Sequence, residues 1–318
     1  MSVVHVQELH GLPAFTFPEP DVRQELPAAG TVAWRLGVDP YGDNHEETFE
    51  ALWDRFAAAV DLGEVRALII GPWGEVYEHD SGMVVQLLTD HRDRLTGLRG
   101  LFLGDLEMEE AEISWIEQSD ITPLLEAFPL LVEFGVRGGT KLSFSGGRLE
   151  HLRRLVIESG GLPGEVVRAV AASEFPALEH LELWFGQEDY GATAEVGDLE
   201  PILTPGHHPA LRHLGLRNSE FQDGIAAAVA ASPVVDQLHT LDLSLGMLTD
   251  EGANALLAGR PLTHLKKLDL RHHYLTDEVV KRVRRALEPA GVQVDLSEPG
   301  DSWEDGDGTV YRYTAVGE

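Results

Sequence analysis

The chain contains no cysteine, which excludes disulfides, thiolate metal sites and cysteine nucleophiles. Positive charge is scarce: 24 Lys and Arg stand against 54 Asp and Glu, a formal net charge of −30. A field of that sign repels phosphate backbones, so nucleic acid is not an expected partner. A well-solvated surface and a basic protein partner both remain compatible with it. No apolar run is long enough to span a bilayer, so no membrane partner is expected. The alanine-rich GIAAAVAAS (224–232) is too short and reads as a helix. The opening MSVVHVQELHGLPAF lacks the basic segment and long apolar core of a secretory signal. A cytoplasmic location is the expectation. What is present, 43% hydrophobic and 25% charged residues, is the composition of a globular protein.

Catalytic signatures are also missing. The metal-hydrolase pattern H-E-x-x-H begins at His45-Glu46 but closes on Phe49. There is no G-x-S-x-G elbow, phosphate-binding loop or dinucleotide fingerprint. SGGLPGE (159–165) is glycine-rich and reads as a turn between strand and helix. Two histidine groups, His207, His208 and His213, and His264, His272 and His273, show no diagnostic ligand spacing and read as surface residues. The tail DSWEDGDGTVY misses the calcium-loop pattern and reads as a solvated acidic linker. The acidic DLEMEEAEISWIEQSD (105–120) reads as a solvated face beside buried Ile113 and Ile116. The residues therefore point to no cofactor, no metal site and no enzyme.

What the chain does have is a repeat. LDLSLGMLTDEG (241–252) returns as LDLRHHYLTDEV (268–279), 27 residues later. The apolar skeleton is L-x-x-L-x-L followed by x-x-x-x-L, as in Leu238, Leu241, Leu243 and Leu248, then Leu265, Leu268, Leu270 and Leu275. Upstream copies are LRHLGLRNSEF, LEHLELWFG and LRRLVIESGGL, with weaker ones in LVEFGVRGG, LRGLFLGDL and VRALIIGPW. First positions fall at 65, 98, 131, 152, 178, 211, 238, 265 and 291. In each copy the alternating apolar residues of a short strand point to one side. A helix follows: Thr249 and Thr276 stand as N-caps, with Asp250-Glu251 and Asp277-Glu278 where the helix dipole favours negative charge. One strand–helix unit cannot cover its own apolar face, whereas stacked copies can.

This pattern resembles the leucine-rich repeat of the ribonuclease-inhibitor-like type, as found in a group of bacterial proteins, over roughly residues 60 to 297. The resemblance implies an α/β leucine-rich-repeat solenoid, a curved horseshoe with a parallel sheet inside and helices outside. It also implies protein–protein interaction, and it carries no catalytic residue. The repeat's Asn position holds Ser219, Gly246 and His273, so a side-chain ladder there must be partial or absent. The expected organisation is an N-terminal extended segment and cap over 1–60, repeats over 61–297, and an acidic loop with a capping strand over 298–318. TVAWRLGV (31–38) alternates like a strand, and 44–60 reads as an amphipathic helix with Asn44 and Glu47 at capping-box spacing. Residues 309–316 are expected to add a strand over the exposed sheet edge.

In that register the residues facing away from the core form a candidate binding surface for a protein or peptide. They are Glu133 and Arg137; Arg154 and Glu158; His180, Glu182 and Trp184; His213 and Arg217; Asp242; and Lys267, Asp269 and Arg271. Five are basic and five acidic, so this face is less acidic than the chain as a whole. Arginine and tryptophan are the residue types enriched at interface hot spots, which singles out Trp184 and Arg217. Mutual neutralisation across stacked strands accounts for the mixed signs equally well. The first two repeats present Ala67, Ile69, Gly71, Gly100, Phe102 and Gly104, an end that is either apolar or covered by the N-terminal segment. The function expected is non-catalytic binding. The alternative is an enzyme or accessory subunit with a small-ligand site where His180, Glu182, His213 and Asp242 converge across neighbouring strands.

Overall fold

The computed structural model describes residues 3–38 and 47–317. Its frame is one twelve-stranded sheet whose strands lie side by side in chain order. A hairpin opens it, β1 (Glu8–Leu9) antiparallel to β2 (Leu12–Thr16). Every later neighbour is parallel. β3 (Ala33–Val38), β4 (Ala67–Trp73) and β5 (Gly100–Leu103) come next. β6 (Glu133–Arg137), β7 (Arg154–Glu158), β8 (His180–Gly186) and β9 (His213–Ser219) form the middle. The short β10 (Thr240–Asp242), β11 (Lys267–Asp269) and β12 (Gln293–Asp295) end it.

The repeat phrases pair in the register their leucines demand: Leu214 opposite Leu241, Leu241 opposite Leu268, and Leu181 opposite Leu214. One alternate set of strand residues, including Leu68, Leu101, Phe134, Leu155, Leu181, Leu214, Leu241 and Leu268, lies in a single core with the buried faces of the helices. Those helices are α1 (Phe49–Ala59), α2 (Gly82–Asp90), α3 (Thr122–Ala127), α4 (Gly164–Ala172), α5 (Glu200–Leu203), α6 (Gln222–Ala231), α7 (Asp250–Ala258) and α8 (Asp277–Leu287). The helices therefore cover one face of the sheet, and the other face is open to other uses. Each fully buried leucine contributes about 1.5–3 kcal/mol, so stacking supplies what no single unit can.

Thr249 and Thr276 cap their helices as expected, accepting from the amides of Glu251 and Val279. The caps also join successive units. Asp223 accepts from the Thr249 amide and hydroxyl, and Asp250 accepts from those of Thr276. This ladder along the helix starts ties successive units together, and on the strand side His273 meets the carbonyl of Leu296.

Two expectations need correcting. The first helix starts at Phe49, not at 44, with Thr48 as its cap; Asn44 lies outside the described residues, and Glu47 pairs with Arg55. Residues 309–316 do not extend the long sheet. β13 (Trp303–Glu304) and β14 (Val310–Tyr311) make a separate antiparallel hairpin. The tail then turns back: Ala315 donates to the Leu245 carbonyl, and Val316 exchanges hydrogen bonds with the Asn218 side chain. Backbone groups of the tail find partners on three earlier units instead of one edge strand. Among the described residues, no helix is long and apolar enough to cross a membrane.

Candidate functional site

The open face divides in two. Over β3 to β6 it is covered by the chain's own N-terminal segment. Ala33, Ala67 and Gly100 stand in one register row, small enough for β1 to fold over them. A Cβ on Gly100 would sit 3.0 Å from that of His10 and 3.1 Å from Leu9 Cγ. Leu9 packs there with Ala33, Ala67, Ile69 and Phe102. Beyond this apolar patch the segment is held by its main chain. Arg35 donates to the Val6 carbonyl (2.6 Å) and Arg137 to that of Val4 (3.1 Å). Amides of His5, Val6 and His10 donate to Glu107, Asp105 and Glu133. Asp105 is the hub, fully buried between Arg35 (2.6 Å) and Arg137 (3.5 Å).

From β7 onward the N-terminal segment no longer lies over the first two rows of the face, the tail covers it only at Trp184, and its side chains satisfy one another. Arg154, His180, His213, Thr240 and Lys267 form one row across the parallel strands, and Val156, Glu182, Gly215, Asp242 and Asp269 form the next. The imidazoles of His180 and His213 stack, 3.7 Å apart and 9° from parallel. Glu182 leans over Gly215, where a Cβ would lie 3.0 Å from its Cγ, and so reaches both rings. Its Oε2 is 3.4 Å from His180 Nε2 and 3.9 Å from His213 Nε2. Its Oε1 is taken by Trp184 Nε1 (2.8 Å) and by Arg217. Arg217 also reaches Ser244 Oγ (2.9 Å) and Asp242 (3.4 Å). Arg154 Nη1 lies 2.7 Å from His180 Nε2 while its Nε pairs with Glu133 (3.0 Å).

Charge states follow from these contacts. Burial alone would raise the Glu182 pKa, but the His180 hydrogen bond, the Arg217 charge and the Trp184 indole outweigh it and hold the carboxylate ionised. Burial lowers both imidazoles. His213 falls to about 3, with His180, Arg154 and Arg217 adding to the effect. His180 falls too, burial being reinforced by Arg154 and opposed by Glu182. Asp242 is raised, by burial first and by Asp269 against the pull of Arg217. At the far end, burial would raise Asp269, but Lys267 and Arg271 bond it and lower its pKa. Arg271 reaches on to Asp295 (3.6 Å).

The candidate surface residues thus share one face, but not one condition. Trp184 is not an exposed anchor: it is 7% exposed, packed with Ile113, Leu245 and Val316 and beneath the Arg217 guanidinium. Removing Trp184 and reversing Arg217 together would strip Glu182 of two partners and take away packing beneath the tail, so a change in the fold is expected along with any change in binding. Arg137 is 3% exposed, clamped between Glu158 and Asp105. The outermost groups are Arg154, Lys267 and Arg271, with side chains 40%, 35% and 28% exposed. The histidine groups also need correcting: His208 and His273 are buried, because the turns that carry them pack inward against Phe175 and the Leu296 carbonyl. Asp105 escaped the sequence reading, which placed it in a solvated acidic run. Its one local signal is its place directly after the last strand residues of the second repeat.

His180, Glu182 and His213 bring three metal-ligating atoms within 4.8 Å of one another; Glu75, Glu78 and His79 do the same on a more exposed loop. No protein-family model matches the chain, and no curated protein matches it. Among solved structures, a Bacteroides fragilis protein determined as a structural-genomics target superposes with a TM-score of 0.78. The two are 31% identical, over 90% of this chain and 78% of that one. The chain belongs to that protein's family. A family match over 90% of the chain is longer than residues 61–297, so the shared fold takes in flanking segments as well as the repeated units.

Proposed function

We propose that the chain is a leucine-rich-repeat horseshoe that works as a non-catalytic binding module for an extended peptide or protein segment, through the uncovered face from β7 to β12. One observation carries this reading: the same sheet face already grips an extended chain, residues 3–10, through main-chain groups. Arg35 and Arg137 take carbonyls while Asp105, Glu107 and Glu133 take amides. Main-chain capture of this kind tolerates many sequences, and flanking side chains then select among them. The uncovered rows offer the same kinds of groups, with Arg154, Thr240, Lys267 and Arg271 outermost.

Selection of a displayed random peptide library on the immobilised full chain tests it. Thr240→Arg, which plants a bulky side chain in the middle of the row, should cost the selected peptides at least about tenfold in affinity. Arg282→Ala on the exposed side of α8 should cost nothing. Peptides indifferent to Thr240→Arg would place binding elsewhere and end the reading. The enzyme or accessory-subunit alternative has one observation in its favour, the meeting of His180, Glu182 and His213.

A further inference from the structure

We propose that His180, Glu182 and His213 form a binding site for one divalent transition-metal ion of the imidazole-preferring kind, such as zinc or nickel. The inference does not depend on peptide binding.

The arrangement begins with strand geometry. On β8, positions 180 and 182 point to the same face, two residues apart, and β9 places His213 level with His180. A His-x-Glu pair on one strand with a His on its neighbour gives two nitrogens and one oxygen converging from a rigid sheet. That is a more exact platform than loop ligands would provide. Gly215 is the permissive residue, since a Cβ there would lie 3.0 Å from Glu182 Cγ and crowd its path toward His213.

The carboxylate is oriented for the task. Trp184 and Arg217 occupy Oε1, which leaves Oε2 turned to the two rings. Outer partners that fix a ligating oxygen in this way are half of a working metal site. His213 Nε2 is buried and makes no hydrogen bond among the described residues. A buried nitrogen left in that state has lost its water without gaining a partner, a deficit that an ion would make good.

Two features belong to the metal-free arrangement and define what must move. The stacked rings cannot both aim a lone pair at one ion, so each must turn about its Cβ–Cγ bond. Contacts of 3.4 and 3.9 Å to Oε2 must reorganise around an ion held at roughly 2.0–2.2 Å from each ligand. The second feature is Arg154, whose guanidinium covers His180 Nε2 and already supplies a positive charge there. Its side chain is 40% exposed and can swing away while keeping Glu133 as partner. Three protein ligands leave coordination positions open, as in sites that also take water or a small ligand.

The test uses the full chain, stripped with a chelator and then freed of it, titrated with zinc chloride by calorimetry and with cobalt chloride by visible absorption. The expected result is one ion per chain, with ligand-field bands of a nitrogen- and oxygen-ligated cobalt ion. His180→Ala and His213→Ala should each weaken binding at least about a hundredfold. Glu182→Gln, which keeps the side chain's size and an acceptor for Trp184, guards against misreading a folding defect. Arg154→Met should tighten binding, by about tenfold, because it removes the competing charge. His79→Ala should change nothing. Binding that survives both histidine substitutions, binding abolished by His79→Ala, or weaker binding by Arg154→Met would each overturn the assignment, as would no one-to-one binding at all. Circular dichroism and melting of each variant separate lost ligation from lost fold.

Discussion

The covered and uncovered halves of the open face solve one problem in two ways. Both are parallel sheet with acidic and basic side chains in register, and both must satisfy charges that the fold has drawn out of water. In the first half the rows hold Ala33, Ala67 and Gly100, and the space is filled by residues 3–10, whose amides and carbonyls serve Asp105, Glu133, Arg35 and Arg137. In the second half the rows are filled by the side chains themselves, and acids pair with arginine, lysine or histidine on the same or next strand. Glu133 stands at the boundary and uses both solutions, accepting from the His10 amide and from Arg154. A sheet face that holds peptide in one half therefore has the same vocabulary free to rearrange in the other.

The sharpest way to break the distinction is at Arg137, whose loss leaves Asp105 and Glu158 facing each other without their shared cation. Arg137→Met should cost about 3–5 kcal/mol in denaturant unfolding; a loss under 1 kcal/mol would show that the clasp is not held by charge. Acid should then distinguish the halves. His208, stacked on Phe175 behind β8 and β9, is lowered to about 4, by burial first and by His207 second. The unfolded imidazole binds its proton near pH 6.5, above the folded value. Stability is therefore full above 6.5 and falls as pH drops toward 4, by up to about 3 kcal/mol. His208→Phe should make that slope shallower, leaving the share contributed by His213 and His180, read by melting temperature against pH.

A smaller effect is expected at the apolar anchor of the covered half. Leu9→Ala should cost about 2–3 kcal/mol and speed hydrogen exchange at the amides of Val6 and Ala14 while β8 and β9 stay protected. Equal acceleration in β8 and β9 would mean the halves do not open separately. Least of all, Arg154→Met should change stability by less than about 1 kcal/mol, as expected for a half-exposed ion pair. A larger loss on melting would make Arg154 part of the frame and not its movable rim.

The repeat made the strands and their pairing legible in advance, because a leucine at every second position can face only one way and stacked units must align their apolar rows. The capping of α7 and α8 was legible for a similar reason: a threonine followed by two acids is a local signal. The site was legible as rows of residues, and the register already let His180, Glu182 and His213 converge across neighbouring strands. Spacing in the chain grouped His213 with His207 and His208, but its partner in space is His180, which is 33 residues away and adjacent only because β8 and β9 pair. Trp184 looked like an anchor because its strand position faces away from the core; the tail that buries it is more than 120 residues downstream.

The sequence by itself determined the repeating strand–helix unit, the caps of α7 and α8 and the face to which each strand residue belongs, since all of these depend on periods of two to a few dozen residues. Only the tertiary structure decided that residues 3–10 cover half of the open face, that the tail closes over Trp184, and that Glu182 crosses Gly215 to reach two histidines. Those outcomes depend on which distant segments find unsatisfied hydrogen-bonding groups and open volume, and no local pattern encodes that match.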